Sequence, residues 1–456
     1  MTRHALKCAI LIFAAAAAAC ANPGRAPDLA RLYQAHALDD RRVPVILVPG
    51  MLGSRLARRD TGEELWPGGT AKLLTSGYED LALRIDPDTL EPLDDGLEPS
   101  GLFDAAIGQD FYGRITRALR EVGGYLPSRP GQHVVQQKAR MYVFTYDWRQ
   151  DNVATVRKLD EFIEQIRRDY GDPELRVDVV AHSMGGLIVR YYQRYGTDDV
   201  LDGNAFPVTG AGAAKLRRVV LLGVPNQGAT IAIHKFLNGY QVGISRLPTE
   251  GVATMPGLFQ FFPHPAVDWV TNIRGRLLDF DLFDVETWRR FGWSIFDRRV
   301  QRRIANHPDV WPEPQVFERW FEKRLERGRR FTWSLMVPTD EADRVELLNM
   351  GGDCLPTPRR LVIEEAGGES IARLRPEQIA RPVPGIDYEL LMYEPGDGSV
   401  TRSSLLARQE MNHTIPRFEY SRAGLGRAFF VCEQHDALTG NVSLIDNLLH
   451  FLLDED

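Results

Sequence analysis

The chain is short of cysteine, of excess base and of long apolar runs. Of its 456 residues four are cysteine, and none falls between Cys20 and Cys354. Lys and Arg number 55 against 62 acids, a formal net charge of -7, which becomes about -9 if the first nineteen residues leave with Arg3 and Lys7. That balance argues against nucleic acid as a partner, whose usual footprint is a basic surface. The uninterrupted apolar run Cys8 to Ala19 is too short to span a bilayer comfortably as a mature helix. Outside it no tandem repeat or long low-complexity tract interrupts the chain. What is present, 44% apolar and 26% charged residues, describes a globular protein of one large decorated domain or two ordinary ones.

Arg3 and Lys7 ahead of the apolar run mark residues 1–19 as an export signal. Its end, "AAAAAAC", sets small residues before Cys20, as in bacterial lipoprotein signals whose cysteine takes a lipid and becomes the mature N-terminus. Ala17 departs from the leucine usual in such signals, and cleavage inside "ACAN" is the alternative. The expected location is lipid-anchored at the bacterial outer membrane, facing the periplasm or the exterior, or else periplasmic or secreted. Residues 20–42 then form a polar tether, and 43–456 the folded domain. With Cys8 and Cys20 set aside, Cys354 and Cys432 remain. In an oxidising compartment they can pair, or they can stay as two buried thiols.

Strand patterns at "VPVILVPG", "MYVFTYDW", "RVDVVAHS" and "RRVVLLGVP" alternate with helical ones at "VATVRKLDEFIEQIRRDY" and "MGGLIVRYYQRY". This alternation predicts an α/β fold, a mostly parallel sheet with helices on both faces. Residues 228–333 read as an insertion, with aromatic clusters such as "MPGLFQFFPHPAVDWV" and a helix at "PQVFERWFEKRLERGRR". Its aromatics either line an acyl-binding groove or form the insertion's own core. Arg298, Arg299, Arg302 and Arg303 read as a solvated helix face, with contact to anionic headgroups as the alternative. Late strands are predicted at "VELLNM", "YELLMY" and "AFFVC", before a closing helix Val442 to Leu453.

Ser183 stops the strand "RVDVV" between Ala181 and Gly185, both small, and the helix follows at once. A sharp strand-to-helix elbow needs that crowding relieved on both sides. A serine hydroxyl attacks a carbonyl only when a base takes its proton, and the developing oxyanion needs preorganised donors. The backbone N–H of Met184 is one donor, and that of Met51, after Pro49-Gly50, is the other. In this sheet type the acid and histidine follow on loops after late strands. Asp397, in "EPGDGSV", and His435, in "CEQHDAL", meet that order. His413 is the rival base, and His450 lies in the closing helix.

These residues resemble the lecithin:cholesterol acyltransferase family, which includes lysosomal phospholipase A2 and phospholipid:diacylglycerol acyltransferase. The resemblance is carried by "PVILVPGMLGSRL", "YDWR", "AHSMGG", "LPTPRR", "GDGSVTRSSL" and "EQHDALTGNVSLIDNLL", in family order from Pro44 to Leu453. It implies an α/β-hydrolase core with cap and lid insertions, a triad of Ser183, Asp397 and His435, and oxyanion donors at Met51 and Met184. It implies acyl transfer from a phospholipid or other acyl-ester lipid at a membrane surface, through an acyl-serine, to water or to a lipid alcohol. The triad and its donors complete that chemistry, so no metal or organic cofactor is expected. Asp147 and Arg149 read as a structural ion pair beneath the loop, with bracing of the site as the alternative. Trp66 sits in a lid region by family analogy, or in a packed turn. The animal enzymes staple the lid region with a disulfide that this chain cannot form, whereas a Cys354 to Cys432 bond would tie the "CLPTP" loop to the strand before His435. Competing readings are an esterase or polyester depolymerase on the same scaffold, and a binding lipoprotein that has lost the chemistry.

Overall fold

The structure is a computed structural model that describes residues 27–35, 43–106, 109–135, 138–242, 245–337, 345–407 and 427–454. The signal region 1–19, Cys20 and His413 lie outside the described residues.

Seven strands form the central sheet: β1 Val45–Val48, β2 Leu126–Pro127, β3 Arg140–Val143, β4 Val177–His182, β5 Leu216–Leu222, β6 Glu346–Gly352 and β7 Arg427–Val431. Their order is β7-β6-β5-β4-β1-β3-β2, and every neighbouring pair is parallel. The middle strands β1 and β4 are buried throughout, as a sheet covered on both faces requires, and the buried Asp178 of β4 is held by Arg217 at 2.8 Å. Side chains of one strand still divide between the faces. Ile46 and Val48 join the larger core, while Val45 and Leu47 join the other, as a period of two requires.

The larger core is closed by helices α1 Asn152–Tyr170 and α2 Met184–Tyr195. Val153, Val156, Leu159, Ile163 and Ile166 of α1 are fully buried at helix spacing. The Asp151 carboxylate caps the helix by accepting from Val153 N, and Gly171 ends it in the left-handed region. Between β5 and β6 lie α3 Thr230–Asn238, α4 Arg298–Asn306 and α5 Pro314–Ser334. Phe236, Phe259, Phe262, Trp288 and Phe321 are buried there against one another, with ring centroids 4.7–6.2 Å apart. The aromatics thus form the region's own core, with Phe236 also reaching the wall of the cleft described below. On α4, Arg298, Arg299 and Arg302 face solvent, and Arg303 donates to the buried Glu250 at 2.6 and 2.8 Å.

The next helix, α6 Tyr388–Met392, corrects the strand expected at "YELLMY". The Asp387 carboxylate caps it by accepting from Leu390 N, and Tyr388 and Met392, four apart, are the buried pair. A four-residue spacing with an acidic cap is helical, and an apolar run this short carries no strand signal of its own. Extended backbone begins only at Tyr393, where Tyr393–Gly396 pairs antiparallel with Leu355–Pro358. Asp397 therefore follows a two-stranded ribbon outside the central sheet, not a sheet strand.

The closing helix α7, Val442–Leu453, has the bounds read from sequence. Its buried Leu444, Leu448, Leu449 and Leu452 cover the second face, each contributing about 1.5–3 kcal/mol. Part of the expected tether docks here as well. A turn of helix at Leu29–Leu32 leads to Tyr33, which is buried and whose hydroxyl lies 2.8 Å from Asp446 Oδ1 on α7.

Trp66 is packed as in the second reading, but at the end of the strand Glu64–Trp66, paired antiparallel with Ser54–Arg58, rather than in a turn. It is 2% exposed, its indole N–H donates to Leu52 O at 2.8 Å, and it packs on Tyr78, Phe103 and Trp148. Arg149 is likewise buried, donating to Asp147 at 2.9 and 2.8 Å, to Asp95 at 2.6 Å and to Leu81 O at 3.2 Å. Burial opposes the Asp147 charge, and the Arg149 guanidinium overcomes it and holds the carboxyl below its ordinary value. Arg149→Met would leave Asp147 buried without its cation, at a cost of about 3–5 kcal/mol. A thermal melt should show a transition several degrees lower, and an unchanged midpoint would contradict this structural role.

Candidate active site

The elbow is built where β4 ends. Ser183 takes φ 51° and ψ -120°, a strained conformation for a residue with a side chain, and α2 starts at the next residue. Its own N–H donates to Leu222 O at 2.8 Å, which pins the turn to the end of β5. A Cβ on Gly185 would lie 2.6 Å from the carbonyl oxygens of Val48 and Pro49, and one on Gly50 would lie 2.9 Å from Ser183 Cβ. The helix start and the loop after β1 approach each other this closely only because both residues are glycine.

Three predicted residues come together. His435 Nε2 is 3.0 Å from Ser183 Oγ, and His435 Nδ1 is 2.8 Å from Asp397 Oδ2. The other carboxylate oxygen, Oδ1, accepts from Ser399 N at 2.9 Å and Val400 N at 2.7 Å, so Asp397 is fixed from behind. The His435 main-chain N–H donates to Asp397 O at 2.9 Å. Cys354 and Cys432 are disulfide-bonded with Cα atoms 5.1 Å apart. Cys354 leads into the ribbon that delivers Asp397, and Cys432 follows β7 on the way to His435. The bond thus joins the two loops that carry the acid and the base. His450 is on the surface of α7, with its ring 3.8 Å from Asp454.

Met51 lies in a turn closed by Gly53 N–H to Gly50 O at 3.0 Å, and it lines the same cleft as Ser183 and His435. Met184 is the first residue of α2, where helix geometry leaves the N–H without an intrahelical partner. The turn is held from outside by the Trp66 indole on Leu52 O and by Tyr112, whose hydroxyl accepts from Gly50 N at 2.8 Å.

Tyr112 and His182 are the part that sequence reasoning missed. Tyr112 Oη is 2.8 Å from His182 Nδ1. That one oxygen thus links the Gly50 main chain to the His182 ring. Burial, reinforced by His435 nearby, pushes the His182 pKa down to about 3, so the ring stays neutral. Its centroid lies 4.9 Å from that of His435, and Nε2 has no hydrogen-bond partner among the described residues. The one sequence signal for His182 was adjacency to Ser183; Tyr112, 70 residues away, had none.

Burial by itself would lower the His435 pKa, but the Asp397 carboxylate, through its field and its hydrogen bond, raises it above the ordinary histidine value. A base works only when unprotonated, so activity should fall as pH drops through that raised pKa. The acid limb of kcat/KM against pH is expected with a midpoint above about 6.5, the unperturbed value. A midpoint below that value would contradict the pairing. His182 adds no limb in this range.

The cleft over Ser183 has a volume of about 280 Å³. Its walls mix apolar groups, Phe236, Leu258 and Phe261, with Lys235, Tyr240 and Asp436. Among the described residues no group of three or more His, Cys, Asp or Glu side chains is placed to hold a metal, and no helix is long and apolar enough to cross a membrane.

Residues 133–270 match the family model described as lecithin:cholesterol acyltransferase. No curated protein matches the chain in sequence. Among solved structures, a chain of the Tle4-Tli4 complex superposes with a TM-score of 0.56 at 14% identity, over 90% of this chain and 98% of that one. Bacillus licheniformis lipase BlEst2 in mature form is 10% identical over 91% and 94% of the two chains, and lipase 1 from Pelosinus fermentans 13% over 91% and 100%, each with a TM-score of 0.35. At that score the two lipases overlap this chain only loosely. The fold and the elbow define an α/β-hydrolase. Over 133–270, the segment that carries Arg149, Ser183 and β5, the chain is lecithin:cholesterol acyltransferase-like.

Proposed function

We propose that this protein is a serine hydrolase or acyltransferase of lipid acyl esters, with Ser183 as nucleophile, His435 as base, Asp397 as its orienting acid, and the N–H groups of Met51 and Met184 as oxyanion donors. The observation that carries the reading is the hydrogen-bonded series from Ser183 Oγ through His435 to Asp397, at 3.0 and 2.8 Å, opening on a cleft with walls partly apolar. Ser183 Oγ gives its proton to His435 Nε2 and bonds to the ester carbonyl carbon. The tetrahedral oxyanion rests on the two N–H groups. Collapse expels the alcohol, which takes the proton from His435, and leaves an acyl-serine. Water or a lipid alcohol then reverses the sequence at the same base. The family match supports a lipid ester as substrate. Export and attachment at Cys20 would set the enzyme against a membrane, a reading that rests on the N-terminal sequence. A second reading, turnover of short soluble esters, draws on the modest cleft volume, at the small end for ligand pockets.

The test follows a labelled acyl chain when purified protein, with Ser183→Ala as control, meets phospholipid vesicles containing sterol or diacylglycerol. Free fatty acid identifies a hydrolase and a labelled neutral ester an acyltransferase. Turnover confined to short soluble esters would overturn the lipid reading.

A further inference from the structure

Lys235 lies on α3 and lines the cleft that holds Ser183. Its Nζ sits 4.4 Å from the centroid of the Tyr240 ring, which lines the same cleft. Stacking on an aromatic face orients an ammonium without neutralising it. A partly buried charge ordinarily has a hydrogen-bonded counter-ion. Here the acid that acts on Lys235 is Asp436, which does so through space without a hydrogen bond, while Arg375 and Arg246 add positive charge to the same region. Burial is the largest influence on Lys235 and, with the two arginines, lowers its pKa against the pull of Asp436. Among the described residues the ammonium therefore faces the cleft with no hydrogen-bond acceptor, beside walls of Phe236, Leu258 and Phe261 that suit an acyl chain.

We propose that Lys235, held by Tyr240, binds an anionic phosphoester group carried by the ester substrate, so that the site selects a phospholipid over a neutral glycerolipid. The inference rests on the reading of Ser183 as the nucleophile of a lipid acyl ester. The geometry divides the cleft by chemistry: the apolar wall takes the acyl chain, Ser183 and His435 take the ester, and Lys235 takes the phosphate of the alcohol portion. A phosphate oxygen accepts a charge-assisted hydrogen bond there.

The experiment uses the full chain and two substrates, dioleoyl phosphatidylglycerol and dioleoylglycerol, in nonionic detergent micelles at equal surface concentration. The readout is the ratio of their kcat/KM values, in which a general loss of folding cancels. Lys235→Met, which keeps the length and removes the charge, should lower the ratio roughly ten- to a hundredfold, while Lys235→Arg should retain most of it. A ratio within about twofold of wild type in Lys235→Met overturns the proposal. Inorganic phosphate, added during dioleoylglycerol turnover, separates the sources of the anion: inhibition that disappears in Lys235→Met would assign the site to free phosphate and overturn the headgroup assignment. If wild-type protein turns over neither lipid and Ser183 resists a fluorophosphonate, the reading of the site itself fails, an outcome distinct from an unchanged ratio in an active enzyme.

Discussion

Asp397→Asn should leave a folded protein whose turnover is lower by roughly 10³- to 10⁴-fold. The size of the effect follows from the two faces of the carboxylate. Oδ1 accepts two backbone N–H groups, from Ser399 and Val400, and Oδ2 meets His435 Nδ1. An asparagine must keep its oxygen on those two donors, which turns its NH₂ toward Nδ1. Nδ1 must then accept, the imidazole proton moves to Nε2, and the base presents N–H to Ser183 instead of a lone pair. His435→Ala removes the base outright and should cost roughly a thousandfold or more. Steady-state kinetics on an ester that the wild type turns over, with circular dichroism to verify folding, checks both. Near-normal turnover in either variant would contradict the assigned roles.

Gly185→Ala is expected to damage catalysis without touching a reacting group. The added methyl would lie 2.6 Å from the carbonyl oxygens of Val48 and Pro49. These are main-chain atoms that cannot rotate away, so α2 and the loop after β1 must separate. The two proposed oxyanion donors ride on those two elements, Met184 on α2 and Met51 on the loop. Misplacement on the order of 1 Å typically costs about 10²-fold in rate, and the overpacking itself costs about 1–3 kcal/mol in stability. The kinetic loss should appear in kcat and in the rate of labelling by a fluorophosphonate alike. A loss smaller than about threefold would mean that the close approach of these segments is not what sets the site.

Much of this was legible in the sequence where the signal is local. The β4–Ser183–α2 elbow is contiguous, so strand, small residues and helix could be read together, and α7 carries an amphipathic pattern long enough to fix its bounds. The "YELLMY" segment misled because an apolar run of that length fits strand and helix alike. The cap from Asp387 and the burial of Tyr388 and Met392 decided for helix. Trp66 could not be placed from sequence because its partners, Leu52, Tyr78, Phe103 and Trp148, are drawn from separate segments. Tyr112 and Lys235 were hidden for the same reason: neither stands in a motif, and each gains meaning only from what the fold sets beside it. His182 stood in view next to the serine, yet its partner Tyr112 and the Gly50 N–H behind it come from distant segments.

The central claim is that Ser183 is an activated nucleophile. Its most direct test is covalent: the protein is exposed to a fluorophosphonate, digested, and the modified residue is located by mass spectrometry, with Ser183→Ala and His435→Ala alongside. Stoichiometric modification of Ser183 is expected, with none in Ser183→Ala and greatly slowed reaction in His435→Ala. Modification of a different serine, or equal labelling in His435→Ala, would contradict it.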